Sequence, residues 1–211
     1  MERIDLEGFF FKNRILMLSV LGLALLAAAG IFGARYYYGN MNKKAEGLLW
    51  KGVRLYMSFN GKNPKTLSDS VSYLKKLQAK FRGTDASALS NFYMGLDYLR
   101  MGRPNKASSY LAAYVKLYPK PGHNNMTYLA YSNLASAALI KKDYKGAITD
   151  FSNMSKIGNL KLQEYARLEE AAVYSEINEK GKAVAIYKSM LTGDSMTNER
   201  GYIENLIQLN S

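Results

Sequence analysis

The chain has 211 residues, of which 48% are hydrophobic and 22% charged, with four prolines, no cysteine and a formal net charge of +12. This is the composition of a folded, helix-rich chain with room for one ordinary domain and an appendage, and it argues against wholesale disorder. The lack of cysteine excludes disulfides, iron–sulfur clusters, thiolate zinc sites, cysteine nucleophiles and a lipoprotein anchor.

Residues 1–14 form a short leader with three acids and three bases, so the positive excess lies after residue 34. There it suits anionic headgroups, acidic protein surfaces or nucleic acid, or it is a solvated lysine-rich face. Residues 15–34, ILMLSVLGLALLAAAGIFGA, carry no charge. As a helix they would run about 30 Å, the thickness of a bilayer's hydrocarbon core. Lys12 and Arg14 flank the run on one side, and Arg35 with Tyr36, Tyr37 and Tyr38 on the other, as expected for a transmembrane helix. A cleaved signal peptide is the competing reading, with Ala27-Ala28-Ala29 as the cleavage site. Against it, the apolar run continues through Ile31 and Phe32, and the leader begins with acids. The flanking bases balance, so charge does not set the orientation. Ala29 with Gly33, and Gly30 with Ala34, are small residues four apart that would let a second copy approach and form a homo-oligomer.

Residues 35–85 read as a linker helix and a degenerate first repeat. Leu48, Leu49, Val53, Tyr56 and Met57 recur at helical spacing before Gly61 and Pro64 interrupt the pattern. Ser68 or Asp69 is the expected cap of the next helix, whose apolar positions are Val71, Leu74, Leu77 and Phe81.

Residues 86–211 carry a spacing that repeats. Around Ala107 stand Gly95 twelve residues back, Tyr98 nine back, Leu111 four ahead and Pro119 twelve ahead. Around Ala147 stand Ala135 twelve back and Phe151 four ahead; around Ala183, Ala171 twelve back, Tyr174 nine back and Tyr187 four ahead. The first of these units predicts helices over 86–101 and 105–117, with Thr84 or Asp85 as the cap and Pro119–Asn125 as a loop. Thr197-Asn198-Glu199 then lead into a C-terminal capping helix with Tyr202, Ile203, Leu206, Ile207 and Leu209.

This pattern resembles the tetratricopeptide (TPR) repeat, a pair of antiparallel helices that needs neighbours of its own kind to bury its apolar faces. Joined to the apolar run at residues 15–34, the resemblance implies an all-α fold, one N-terminal transmembrane helix followed by a TPR-like helical-hairpin solenoid. It also implies binding to other proteins or peptides on the concave face formed by the first helix of each repeat. Position by position, that face takes Leu89, Phe92, Leu96, Leu99 and Arg100 from the first clean repeat. The second supplies Leu129, Ser132, Asn133, Ser136 and Leu139, and the third Tyr165, Leu168, Ala172 and Ser175. The dicarboxylate clamp of chaperone-binding TPR domains is not matched, since Phe92, Leu96, Tyr165 and Glu169 stand where basic or amide groups are required and only Asn133 agrees.

No catalytic constellation, metal site or cofactor motif accompanies the repeats, so no enzyme is expected. The single histidine, His123, falls in the Pro119–Asn125 loop, and the acidic pairs Glu169-Glu170 and Glu176 with Glu179 read as solvated surface. Lys75, Lys76, Lys80 and Arg82, and Lys141, Lys142 and Lys145, form basic clusters without a nucleic-acid motif, and nucleic acid is not the expected partner. Leader, span, linker and TPR domain together resemble the YfgM-type single-span proteins of bacteria. That resemblance implies the bacterial inner membrane, single-pass, with a periplasmic C-terminal domain. It further implies translocon or envelope-complex partners and a chaperone-like role in protein secretion or envelope protein maturation. Two other readings remain: a structural subunit of a secretion, pilus or motility machine with one fixed partner, and an anionic-surface binder.

Overall fold

The computed structural model describes residues 6–118, 126–192 and 199–211, with side chains from Asn13 onward. The first five leader residues, Pro119, His123 and the Thr197-Asn198 lead-in lie outside the described residues. Every regular element among the described residues is helical: α1 (Leu6–Ser58), α2 (Pro64–Lys80), α3 (Asp85–Arg100), α4 (Pro104–Leu117), α5 (Met126–Ile140), α6 (Tyr144–Met154), α7 (Leu160–Glu176), α8 (Lys180–Leu191) and α9 (Arg200–Asn210). The chain divides into two compact units, Met1–Lys44 and Ala45–Ser211.

In the first unit α1 leaves its apolar side chains uncovered, with Leu16, Leu23 and Phe32 each about two-thirds exposed. It is the one described helix long and apolar enough to cross a membrane.

The second unit is a row of antiparallel hairpins. The end of α1 (from Ala45) pairs with α2, α3 with α4, α5 with α6 and α7 with α8, and α9 packs on α8. Neighbouring hairpins share cores. Leu49, Val53, Leu74, Leu77 and Met94 form one cluster; Phe92, Leu111, Tyr114 and Leu134 the next; Tyr128, Phe151, Met154 and Val173 the third; and Tyr187, Met190 and Ile203 the last. Each large side chain so buried contributes about 2 kcal/mol.

Small residues set how closely the helices of a hairpin approach. Ala107, Ala135, Ala147, Ala171 and Ala183 are fully buried. A Cβ on Gly95 would meet Leu111 Cγ at 2.5 Å, and one on Gly52 would meet Leu74 Cδ2 at 2.7 Å. The turn inside each of the last three hairpins is built identically, with a left-handed residue at Gly102, Lys142 or Asn178 (φ 65°, 57° and 63°). The following amide closes a Schellman motif in each: Arg103 N–H to Tyr98 O at 2.8 Å, Asp143 to Ala138 at 2.9 Å, and Glu179 to Tyr174 at 2.8 Å.

The start of α2 corrects the sequence reading. Its cap is Asn63, whose Oδ1 accepts from the Lys65 amide at 3.1 Å, and Ser68 and Asp69 lie inside the helix. Pro64, read above as an interruption, occupies the first helical turn, where its missing N–H costs nothing. Thr84 caps α3 as expected, accepting from Ser87 N–H at 3.1 Å.

Candidate functional site

The first helices of successive hairpins are neighbours. α3 approaches α5, and α5 reaches the first turn of α7 where the Tyr128 hydroxyl donates to Leu162 O at 3.1 Å. Burial divides the residues anticipated on this face into three groups.

On α3, Phe92 is only 4% exposed and packs with Tyr114 of α4 and Ala130 and Leu134 of α5, with half-buried Leu89, Leu96 and Leu99 around it. These residues seal one hairpin to the next, so Phe92 is a packing residue. Arg100 is exposed but engaged. Its guanidinium lies 4.0 Å from the Tyr56 ring centroid, and Nη1 donates to Tyr56 O at 2.9 Å. It thereby satisfies a carbonyl in the last turn of α1 while stacking on an aromatic face.

On α5, Leu129, Ser132, Asn133 and Ser136 share one helix face. Leu129 and Ser136 are exposed, and Ser132 and Asn133 are half-buried. Asn133 Nδ2 donates to Leu129 O at 2.7 Å and Ser136 Oγ to Ser132 O at 2.9 Å, leaving acceptor capacity outward. Leu139 is half-buried against the third cluster. On α7, Tyr165 is 51% exposed and Ala172 is exposed, while Leu168 and Ser175 are half-buried. The uncovered part of the anticipated face is therefore a mixed apolar and hydroxylic surface on α5 and α7.

Sequence reasoning missed a buried polar cluster at the other end of the row. Asp97 of α3 is fully buried, with Oδ2 2.7 Å from Ser70 Oγ, which is itself 3.0 Å from Gly52 O. Oδ1 has no partner. Ser70 has one hydroxyl proton and Gly52 O can only accept. Both contacts are therefore satisfied together only when Asp97 is protonated and donates to Ser70, which passes its own proton to Gly52. Electrostatics agree: burial pushes the Asp97 carboxyl up to about 7, outweighing the Ser70 hydrogen bond and the nearby Arg100 charge. The signal was present in the sequence, since Asp97 falls in the apolar register of Met94, Tyr98 and Met101.

Among the described residues no group of three or more His, Cys, Asp or Glu side chains could hold a metal ion. A shallow groove of about 470 Å³ runs along α2, lined by Ser68, Val71, Ser72, Lys75, Lys76 and Ala79.

No family model matches the chain, and no curated protein matches it. Among solved structures, it is similar to nearly identical TPR-like repeats from a Podosopora anserina protein assigned as a kinesin light chain. That match has a TM-score of 0.53 and 15% identity, covering 81% of this chain and 83% of the other. A single-substitution variant of the same protein gives a TM-score of 0.52 at 14% identity, covering 82% and 86%. At such identities the likeness is one of fold. The chain is an all-α, TPR-like repeat solenoid, with one N-terminal helix long and apolar enough to cross a membrane.

Proposed function

We propose that the protein is a membrane-anchored protein–protein interaction module. The first helices of its repeats hold a peptide or amphipathic helix of a partner, and α1 spans the membrane once. The observation that carries this reading is a TPR-like row with an uncovered α5–α7 surface, in a chain whose first helix exposes a bilayer's length of apolar side chains. The contact residues are Leu129, Ser132, Asn133, Ser136 and Tyr165. The YfgM-type resemblance supports a finer version, in which the solenoid is periplasmic and serves secretion or envelope protein maturation at the bacterial inner membrane.

Photocrosslinking residues at Leu129 and Tyr165 in cells test the surface, with discrete adducts expected at both. Adducts absent at both positions, in a chain of normal abundance, refute binding there. Topology is read separately by Ser211→Cys, which would be the chain's sole cysteine. An impermeant thiol reagent should label it once the outer membrane is permeable, and labelling only after the inner membrane is opened overturns the periplasmic placement.

A further inference from the structure

The chain's positive charge is concentrated in one stretch of the sequence. Residues 35–84 hold eleven of the 29 bases and only two of the 17 acids, so this stretch carries +9 of the net +12. Residues 85–211, a far longer segment, carry the remaining +3. Among the described residues none of these eleven bases forms an ion pair; the ion pairs there are Lys182 with Glu179 and Arg200 with Glu204. Lys75, Lys76, Lys80 and Arg82 are all exposed.

Hairpin geometry gathers these four at one end. The loop joining α1 to α2 lies at residues 59–63, and Gly52 faces Ser70 and Leu74. Two antiparallel helices in that register bring the stretch around Ala45 beside residues 77–81, because each advances at the same rise in opposite directions. The α2 bases therefore stand at the end where α1 enters the hairpin, away from the loop. Lys75 and Lys76 line the groove along α2 together with the hydroxyls of Ser68 and Ser72, a combination suited to phosphate oxygens.

We infer that this end of the first hairpin docks on an anionic phospholipid surface through Lys75, Lys76, Lys80 and Arg82. The inference rests on the membrane-anchored reading above. Charge selects lipid over an internal role, because these bases have no acidic partner among the described residues. It selects headgroups over nucleic acid because these bases belong to a chain whose first helix is long and apolar enough to enter a bilayer. Attraction of this kind acts within a Debye length, roughly 10 Å at 0.1 M salt, so the docking is salt-sensitive.

The test uses the full chain reconstituted in phosphatidylcholine vesicles, with or without phosphatidylglycerol. Because the protein has no cysteine, Ala79→Cys, Leu23→Cys and Ser109→Cys each place one fluorophore. A headgroup quencher should quench the Ala79 label about threefold more in anionic than in neutral vesicles, an excess abolished by molar salt or by K75E/K76E/K80E/R82E, with the Ser109 label unaffected. An acyl-chain quencher acting on the Leu23 label reads insertion separately. Leu23 quenched with Ala79 equal in both vesicle types overturns the headgroup inference and leaves the span standing. Ala79 quenched in anionic vesicles alone with Leu23 unquenched supports the headgroup contact and overturns the span. A salt-sensitive response of the Ala79 label to an RNA oligonucleotide, with none to anionic vesicles, also overturns the inference.

Discussion

The two halves of the helical row are stabilised by different chemistry. All six buried polar or charged side chains among the described residues, Ser70, Thr84, Ser87, Ser90, Asp97 and Thr127, lie between the start of α2 and the first turn of α5. Among the described residues beyond Thr127 the buried side chains are aliphatic or aromatic, and the ion pairs Lys182–Glu179 and Arg200–Glu204 lie at the surface. A polar core is selective about partners and protonation, whereas an apolar core asks only for volume. The N-terminal half should therefore respond to pH and to isosteric change, and the C-terminal half mainly to packing.

The largest expected effect comes from Asp97. Its carboxyl is raised from 3.8 to about 7 in the fold, so the folded chain binds the extra proton. Stability is then greatest below the unfolded value and declines as pH rises through the folded one, levelling above about 7. Between pH 5 and pH 8 the loss from this group is about 3 kcal/mol. Urea unfolding of the full chain in detergent should show it, with hydrogen exchange placing the change in α1–α3. Asp97→Asn supplies a permanent donor to Ser70 and should flatten that slope and stabilise the protein at pH 8. A residual slope of the same sign is expected in α6, where burial and the neighbouring Asp143 raise Asp150 to about 6. An unchanged slope in α1–α3 would mean that Asp97 is ionised in the fold.

Gly95→Ala comes next. Its Cβ would sit 2.5 Å from Leu111 Cγ, and overpacking of this kind costs about 1–3 kcal/mol. The loss should be the same at pH 5 and pH 8, which separates packing from protonation within the same half.

Helix caps give a matched pair across the two halves. Thr84→Ala removes the acceptor for Ser87 N–H, and Asp143→Ala the acceptor for Gly146 N–H at 3.0 Å. Each should cost about 1 kcal/mol. Similar losses in thermal unfolding would show that the halves differ in their cores and not at their helix ends.

The smallest effect is a gain. Lys142 holds φ at 57° where glycine is at ease, so Lys142→Gly should stabilise by about 0.5 kcal/mol, read as a rise in the urea midpoint. A loss would mean that its side chain contributes packing that offsets the strain.

The sequence made the repeat geometry legible because the constraint is local and recurrent. Small residues twelve apart, Gly95 with Ala107, Ala135 with Ala147 and Ala171 with Ala183, all prove buried. What escaped it depends on residues brought together from a distance. Ser70 and Asp97 are 27 residues apart, and Arg100, expected in a groove, finds Tyr56 from 44 residues away. Phe92 belongs by its spacing to a face that the next hairpin covers. Pro64 misled differently, because the missing N–H that breaks a helix interior is harmless in a first turn.

The identical turns have a consequence for engineering. Within each of the last three hairpins the small-residue spacing is constant at twelve, while Ala107, Ala147 and Ala183 stand 40 and 36 residues apart, beyond the usual repeat of about 34. All the surplus length therefore lies between hairpins, and none of it in the Schellman turns. A peptide tag or reporter inserted at Gly158 should be tolerated, whereas even one residue added at Gly102, Lys142 or Asn178 would throw the two helices of a hairpin out of register.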